Sequence, residues 1–153
     1  MSEEKQEISL MGFFIGSLII NLIAGILILA TDFGGFYYES GSLKIWEYLS
    51  LLHPISGPII AVVAACFFYS VYFSLMKLLN KEDLIPSIGL KLGFYLSIVA
   101  LTLVVLGTIA VVAVGVGAYD WWFDAGFYAG IIGGILNLVF YILIKNQKRA
   151  KID

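Results

Sequence analysis

Few side chains in this chain could make or break bonds, and they do not converge. It has one cysteine, Cys66, and one histidine, His53. Zinc sites draw three or four ligands from such residues, so one thiol and one imidazole predict no metal centre and no haem or iron–sulfur attachment. No cofactor is expected, and Cys66 reads as a small packing residue inside an apolar run. No Asp, Glu, Lys or Arg lies in the middle of any long apolar run. Pumps, proton relays and voltage sensors place ionisable groups at that depth, and an enzyme working in lipid needs a convergent acid, base or nucleophile. No catalytic residues are therefore predicted, and a membrane enzyme is a distant third reading.

Hydrogen bonding is the chemistry that remains. Asn21 and Asn137 are the strongest polar groups in the apolar runs, joined by Thr102, Thr108, Ser70 and Ser97. Counted along helices from their cytoplasmic ends, Asn21 lies about 19 Å deep, Thr102 about 16 Å and Asn137 only about 10 Å. The expected pairing is thus Asn21 with Thr102, an interhelical hydrogen bond adding roughly 1 kcal/mol. A weakly polar pore lining is the rival use of the same three residues.

The elements that must carry these groups follow from the charge pattern. Charged residues occur at 3–7, 32–47, 77–91, 120–124 and 145–153 and nowhere else. Between them lie four apolar runs of about 18 to 28 residues, the length of a membrane-crossing helix. The predicted spans are 8–30, 58–76, 92–117 and 125–144, with a longer outer loop at 31–57. Pro54 and Pro58 suit the start of the second span, and residues 80–83 with Pro86 a turn after it. The net acidic segment before the first run, and that run's length, predict a retained span rather than a cleaved signal.

Composition agrees. The chain of 153 residues is 61% hydrophobic and 13% charged, against about 25% charged in a soluble domain. So little charge cannot coat a water-facing surface, but it can coat two membrane faces. The expected fold class is all-α: one domain, an integral membrane four-helix antiparallel bundle.

Lysine and arginine placement sets the orientation. With both termini inside, inner segments hold eight basic residues and outer segments only Lys44. The predicted location is the cell membrane, multi-pass, with N and C termini cytoplasmic. A pI of about 5.3 and few basic residues argue against a nucleic-acid partner.

Glycines recur every fourth residue at Gly126, Gly130 and Gly134, and again at Gly12 and Gly16. That spacing puts them on one helix face, where a second backbone can approach closely. They are candidate packing residues, either within the bundle or against another membrane protein or a second copy. Aromatic residues crowd both outer segments, among them Trp46, Trp121 and Trp122. They predict an interfacial belt or an outer contact surface. His53 reads as a helix-end hydrogen-bonding group or, alternatively, a pH-responsive one. Residues 43–52 are expected as an interfacial helix with Leu43, Trp46 and Leu49 on one face. A hairpin turning at Ser40-Gly41 is the rival. Gly34, Gly35 and Gly41 would permit tight turns.

The stretch Trp121-Trp122-Phe123-Asp124-Ala125-Gly126-Phe127-Tyr128, running on to Gly133-Gly134-Ile135-Leu136, resembles the start of the fourth span in claudin and peripheral-myelin-protein-like four-span proteins. It also resembles small uncharacterised prokaryotic four-span proteins. The layout is similar as well: termini inside, longer first outer loop, short second one. Claudins carry a Trp-Gly-Leu-Trp motif and two cysteines in the first loop, whereas this loop has Trp46 alone and no cysteine. The resemblance implies an adhesive or accessory membrane role without a stapled loop. The expected function is a non-catalytic accessory, scaffolding or assembly subunit. Its partners would be the lipid bilayer and other membrane proteins or itself. The alternative is an oligomeric channel or passive permease.

Overall fold

The computed structural model describes residues 3–40, 43–116 and 120–149, and side chains at 10–37, 49–116 and 120–147. Four helices dominate: α1 (Glu3–Ala30), α2 (Ser56–Leu78), α3 (Gly89–Gly115) and α4 (Ala125–Arg149). Each contains a stretch long and apolar enough to cross a membrane: Leu10–Ala30, Ser56–Leu78, Gly89–Gly115 and Ala125–Gln147. Only 22% of the α3 window is buried inside the chain, at a mean hydropathy of 2.7. Its outward faces are therefore as oily as its inward one, which suits lipid and not water. This is a multi-pass membrane architecture in contact with the bilayer.

Local chemistry sets the helix ends. At the end of α2, Asn80 takes a left-handed φ of 54°, a conformation that asparagine tolerates better than most residues. The Lys81 N–H then reaches back to the Met76 carbonyl at 2.9 Å and the Asn80 N–H to Lys77 at 3.3 Å, satisfying carbonyls that the helix leaves open. Lys77 forms an ion pair with Glu82 across this turn. At the start of α4, the Asp124 carboxylate accepts the Ala125 N–H at 2.6 Å. The Gly126 N–H donates to the Asp32 carbonyl at 3.2 Å, which ties α4 to the end of α1.

The segments between the helices add a small sheet at one end of the bundle. Strands β1 (Gly34–Ser40), β2 (Leu43–Leu49) and β3 (Asp120–Phe123) lie in the order β2-β1-β3, with both pairings antiparallel. Residues 43–49 are therefore a strand and not the expected interfacial helix. A helix there would leave β1 with one open edge, whereas the hairpin gives both segments backbone partners. Gly34 and Gly35 are strand residues rather than turn residues. A Cβ on Gly35 would lie 2.5 Å from the Trp122 indole, and one on Gly34 would lie 2.7 Å from the Trp122 carbonyl. Their bareness lets β3 close on β1. The Gly41 turn and the Trp46 ring lie outside the described residues; the Trp46 backbone pairs with Tyr37.

The interior has layers. Near the sheet, Ala24, Ile28, Val63, Phe67, Ala100 and Val104 form an apolar cluster that continues into Phe33 and Phe36. At the other end Phe14, Phe73, Tyr141 and Ile144 form a second. Between the two lies the polar layer.

Candidate functional site

Three helices each carry a pair of polar residues four apart: Ser17 and Asn21 on α1, Ser70 and Ser74 on α2, Asn137 and Tyr141 on α4. One helical turn places each pair on a single face. Ser97 of α3 completes the set, and all seven side chains are buried. Their hydrogen bonds cross every helix. The Asn21 amide donates to Asn137 Oδ1 at 2.9 Å. The Asn137 amide donates to Ser97 Oγ at 2.9 Å and to Ser70 Oγ at 3.0 Å. The Ser74 hydroxyl donates to Ser17 Oγ at 3.0 Å and the Tyr141 hydroxyl to Ser70 Oγ at 3.3 Å. The Ser97 and Ser70 hydroxyls donate in turn to the carbonyls of Gly93 and Cys66, at 2.8 Å and 3.4 Å.

Asn137 is the hub. Its carbonyl and both protons of its amide are used, one partner on each of the other three helices. Asn21 is less well served. Its amide also donates to the Ser17 carbonyl at 2.7 Å, while Asn21 Oδ1 is buried without a donor among the described residues. In a medium with no water, each such bond is worth more than the same bond on a wet surface, and an unmet one costs more.

The expected Asn21–Thr102 pairing is not formed. Thr102 is exposed on the outside of α3, and Asn21 bonds Asn137 instead. Depth counted from the helix ends away from the sheet fails because those ends are not level. The helices are pinned together at the sheet end, where Gly126 bonds Asp32. Asn21 stands eleven residues from Asp32 and Asn137 eleven from Gly126, which puts them at the same depth. Ser17, Ser74 and Tyr141 were missed by sequence reasoning. The signal that could have found them is the four-residue spacing of polar pairs on three separate spans.

The glycines mostly face inward. A Cβ on Gly126 would lie 2.8 Å from the Asp32 carbonyl oxygen, on Gly130 2.9 Å from Val104, on Gly134 3.2 Å from Leu101, and on Gly16 3.0 Å from Phe140. Gly12 differs, with nothing within 4 Å. The aromatic segments split in two. Phe33, Phe36 and Tyr37 are buried, and Phe123 stacks on Phe127 with centroids 3.9 Å apart. Trp121 is 39% exposed and covers Gly115, while Trp122 covers Gly35. His53 Nδ1 accepts the Ile55 and Ser56 N–H groups at 3.3 Å and 3.4 Å, which serves the start of α2 and requires that nitrogen to be unprotonated.

Two apolar cavities flank the bundle. One, of about 280 Å³, lies under the sheet between α2 and α3, against Ile60, Val63, Leu103 and Gly107. The other, of about 390 Å³, is a groove between α1 and α4 lined by Ile23, Ala24, Ala129 and Gly133. At the sheet end, burial and the neighbouring Asp124 raise the Asp32 carboxyl above its ordinary pKa. Among the described residues no three His, Cys, Asp or Glu side chains gather into a metal-ligating group. No protein-family model, curated protein or solved structure matches this chain.

Proposed function

We propose that this chain is a non-catalytic membrane protein that acts as an accessory, scaffolding or assembly subunit. In this reading it is an antiparallel four-helix bundle in the cell membrane, with both termini cytoplasmic and the sheet outside. The observation that carries the reading is the polar layer. Its side chains are turned on one another across all four helices, so they supply rigidity rather than a reacting group or a wet path. Asn21 and Asn137 are buried and bonded, and Thr102 points away from them, which favours a scaffold over a pore lined by these three within one chain. Trp121 and the oily outer faces of the helices are the surfaces left to meet other membrane proteins or a second copy.

The resemblance to claudin-like proteins extends the proposal to an adhesive or accessory role with the sheet as the outer contact surface. The first loop holds no cysteine. The pairing of β1 on both edges and the burial of Phe33, Phe36 and Tyr37 therefore do the work that a disulfide would do.

The test is native mass measurement after extraction in a mild detergent. The expected species is heavier than the 16.8 kDa chain, carrying another polypeptide or whole-number copies of itself. A lone chain at every protein concentration and in every mild detergent would overturn the subunit reading. Tag accessibility in intact cells tests the orientation, with both termini expected to be shielded from an external protease.

A further inference from the structure

The end of the bundle away from the sheet holds a cleft of about 200 Å³ between α3 and α4, lined by Leu90, Lys91, Phe94, Tyr95, Tyr141 and Lys145. Two cations thus share one small cleft. Lys145 Nζ stands 5.3 Å from the centre of the Phe94 ring, which holds it over an apolar wall. At the same end Lys77 is paired with Glu82, but among the described residues no carboxylate pairs with Lys91 or Lys145. Two ammonium groups that line one small cleft repel each other and favour an anion between them. Lys91 lies in the first turn of α3, where the helix end adds partial positive charge.

Where the cleft sits says which anion. Lys91 and Lys145 fall just inside the apolar stretches Gly89–Gly115 and Ala125–Gln147, at the level where lipid headgroups meet hydrocarbon. Along α3, Lys91, Tyr95 and Ile98 are spaced four and three apart and share one exposed face, with Tyr95 62% and Ile98 39% exposed. That face leads from the cleft toward the middle of the membrane as an oily track. A polar anion fits the head of this arrangement, and a hydrocarbon chain fits its tail. We propose that the cleft binds the headgroup phosphate of an anionic phospholipid, with one acyl chain lying along Tyr95 and Ile98. Basic pockets between membrane helices are suited to such headgroups. A zwitterionic headgroup brings its own cation, which the two lysines repel. Inorganic phosphate shares the anion chemistry but has no use for the track.

The experiment is native mass spectrometry of the full chain in detergent micelles, offered equal amounts of phosphatidylglycerol and phosphatidylcholine with identical acyl chains. Retention of phosphatidylglycerol is expected to exceed that of phosphatidylcholine roughly tenfold. The double variant Lys91→Gln, Lys145→Gln should bring the two lipids level. Both side chains are exposed, so this variant should melt with the parent, and the melt is recorded on the same sample. Lys91→Arg with Lys145→Arg should keep the preference, and Lys81→Gln should leave it untouched. Equal retention of both lipids by the parent would overturn the proposal, as would a preference that survives in the folded double Gln variant. Displacement of phosphatidylglycerol by millimolar inorganic phosphate, down to the phosphatidylcholine level, would assign the cleft to the free anion and overturn the lipid reading.

Discussion

Along the α1–α4 seam, the half near the sheet closes by leaving side chains out, and the other half closes by bonding side chains together. Near the sheet, a Cβ on Gly133 would come within 2.5 Å of the Ala24 Cβ, and one on Gly126 within 2.8 Å of the Asp32 carbonyl oxygen. Farther along, Asn21 and Asn137 meet at 2.9 Å, and Phe14 and Tyr141 both pack on Phe73. The two halves solve one problem by different means. Lipid gives helices no hydrophobic reason to associate, so contact must come from close packing or from hydrogen bonds. Close packing sets the distance between two helices but leaves them free to slide. Hydrogen bonds have direction and a fixed partner, so the polar layer sets the register that the bare glycine faces alone would not.

Breaking each half separately would test this division. Gly133→Leu should have the largest effect, about 3 kcal/mol of destabilisation, because its Cβ alone would lie 2.5 Å from the Ala24 Cβ and force α1 and α4 apart. Denaturant unfolding in detergent would measure it, and a variant as stable as the parent would remove close packing from the account. Asn137→Ala comes next, at about 2 kcal/mol, from three interhelical bonds of roughly 0.6 kcal/mol each. Asn21→Ala should cost less, since Asn21 already leaves one acceptor unmet. A double-mutant cycle on the two should show a coupling of about 0.5 kcal/mol or more; strict additivity would mean that the bond does not set register.

Smaller effects sharpen the contrast at the sheet end. Asp32 has its carboxyl pKa raised by burial first and by Asp124 second, so the folded state disfavours its charge. That sign makes the fold slightly more stable once the group is protonated, and the gain is lost as pH rises through the raised value. Asp32→Asn should therefore melt above the parent at neutral pH, by at most about 0.5 kcal/mol at so wet a site. The difference should vanish in acid below both values. A gap that widened in acid would reverse the assigned sign. Thr102→Val should change stability least, by less than about 0.5 kcal/mol, because Thr102 faces outward; a loss like that of Asn137→Ala would put Thr102 back in the core.

Much of this was legible in residue order alone. Four apolar stretches separated by charge can only be satisfied by helices in lipid, because an unpaired backbone group is too costly there. The connection at 80–83 was legible too, since Asn80 tolerates the left-handed turn. The strand at 43–49 was less so. Leu43, Trp46 and Leu49 have helical spacing, but Gly34 to Ser40 offers them a backbone partner that no helix could use. Counting depth inward from the chain ends misplaced Asn137, because α4 runs on to Arg149 and the helices are levelled at the sheet instead.

Residue order by itself thus determined that this protein has four stretches long and apolar enough to cross a membrane, because hydrophobic length is a local property of a run. Only the tertiary structure decided which polar groups meet, which glycines are covered and which lysines are left facing a cleft. Those outcomes depend on the rotation and relative height of four helices. They are set jointly by the sheet, the Gly126–Asp32 bond and the Asn137 hub, and no single stretch of sequence contains them.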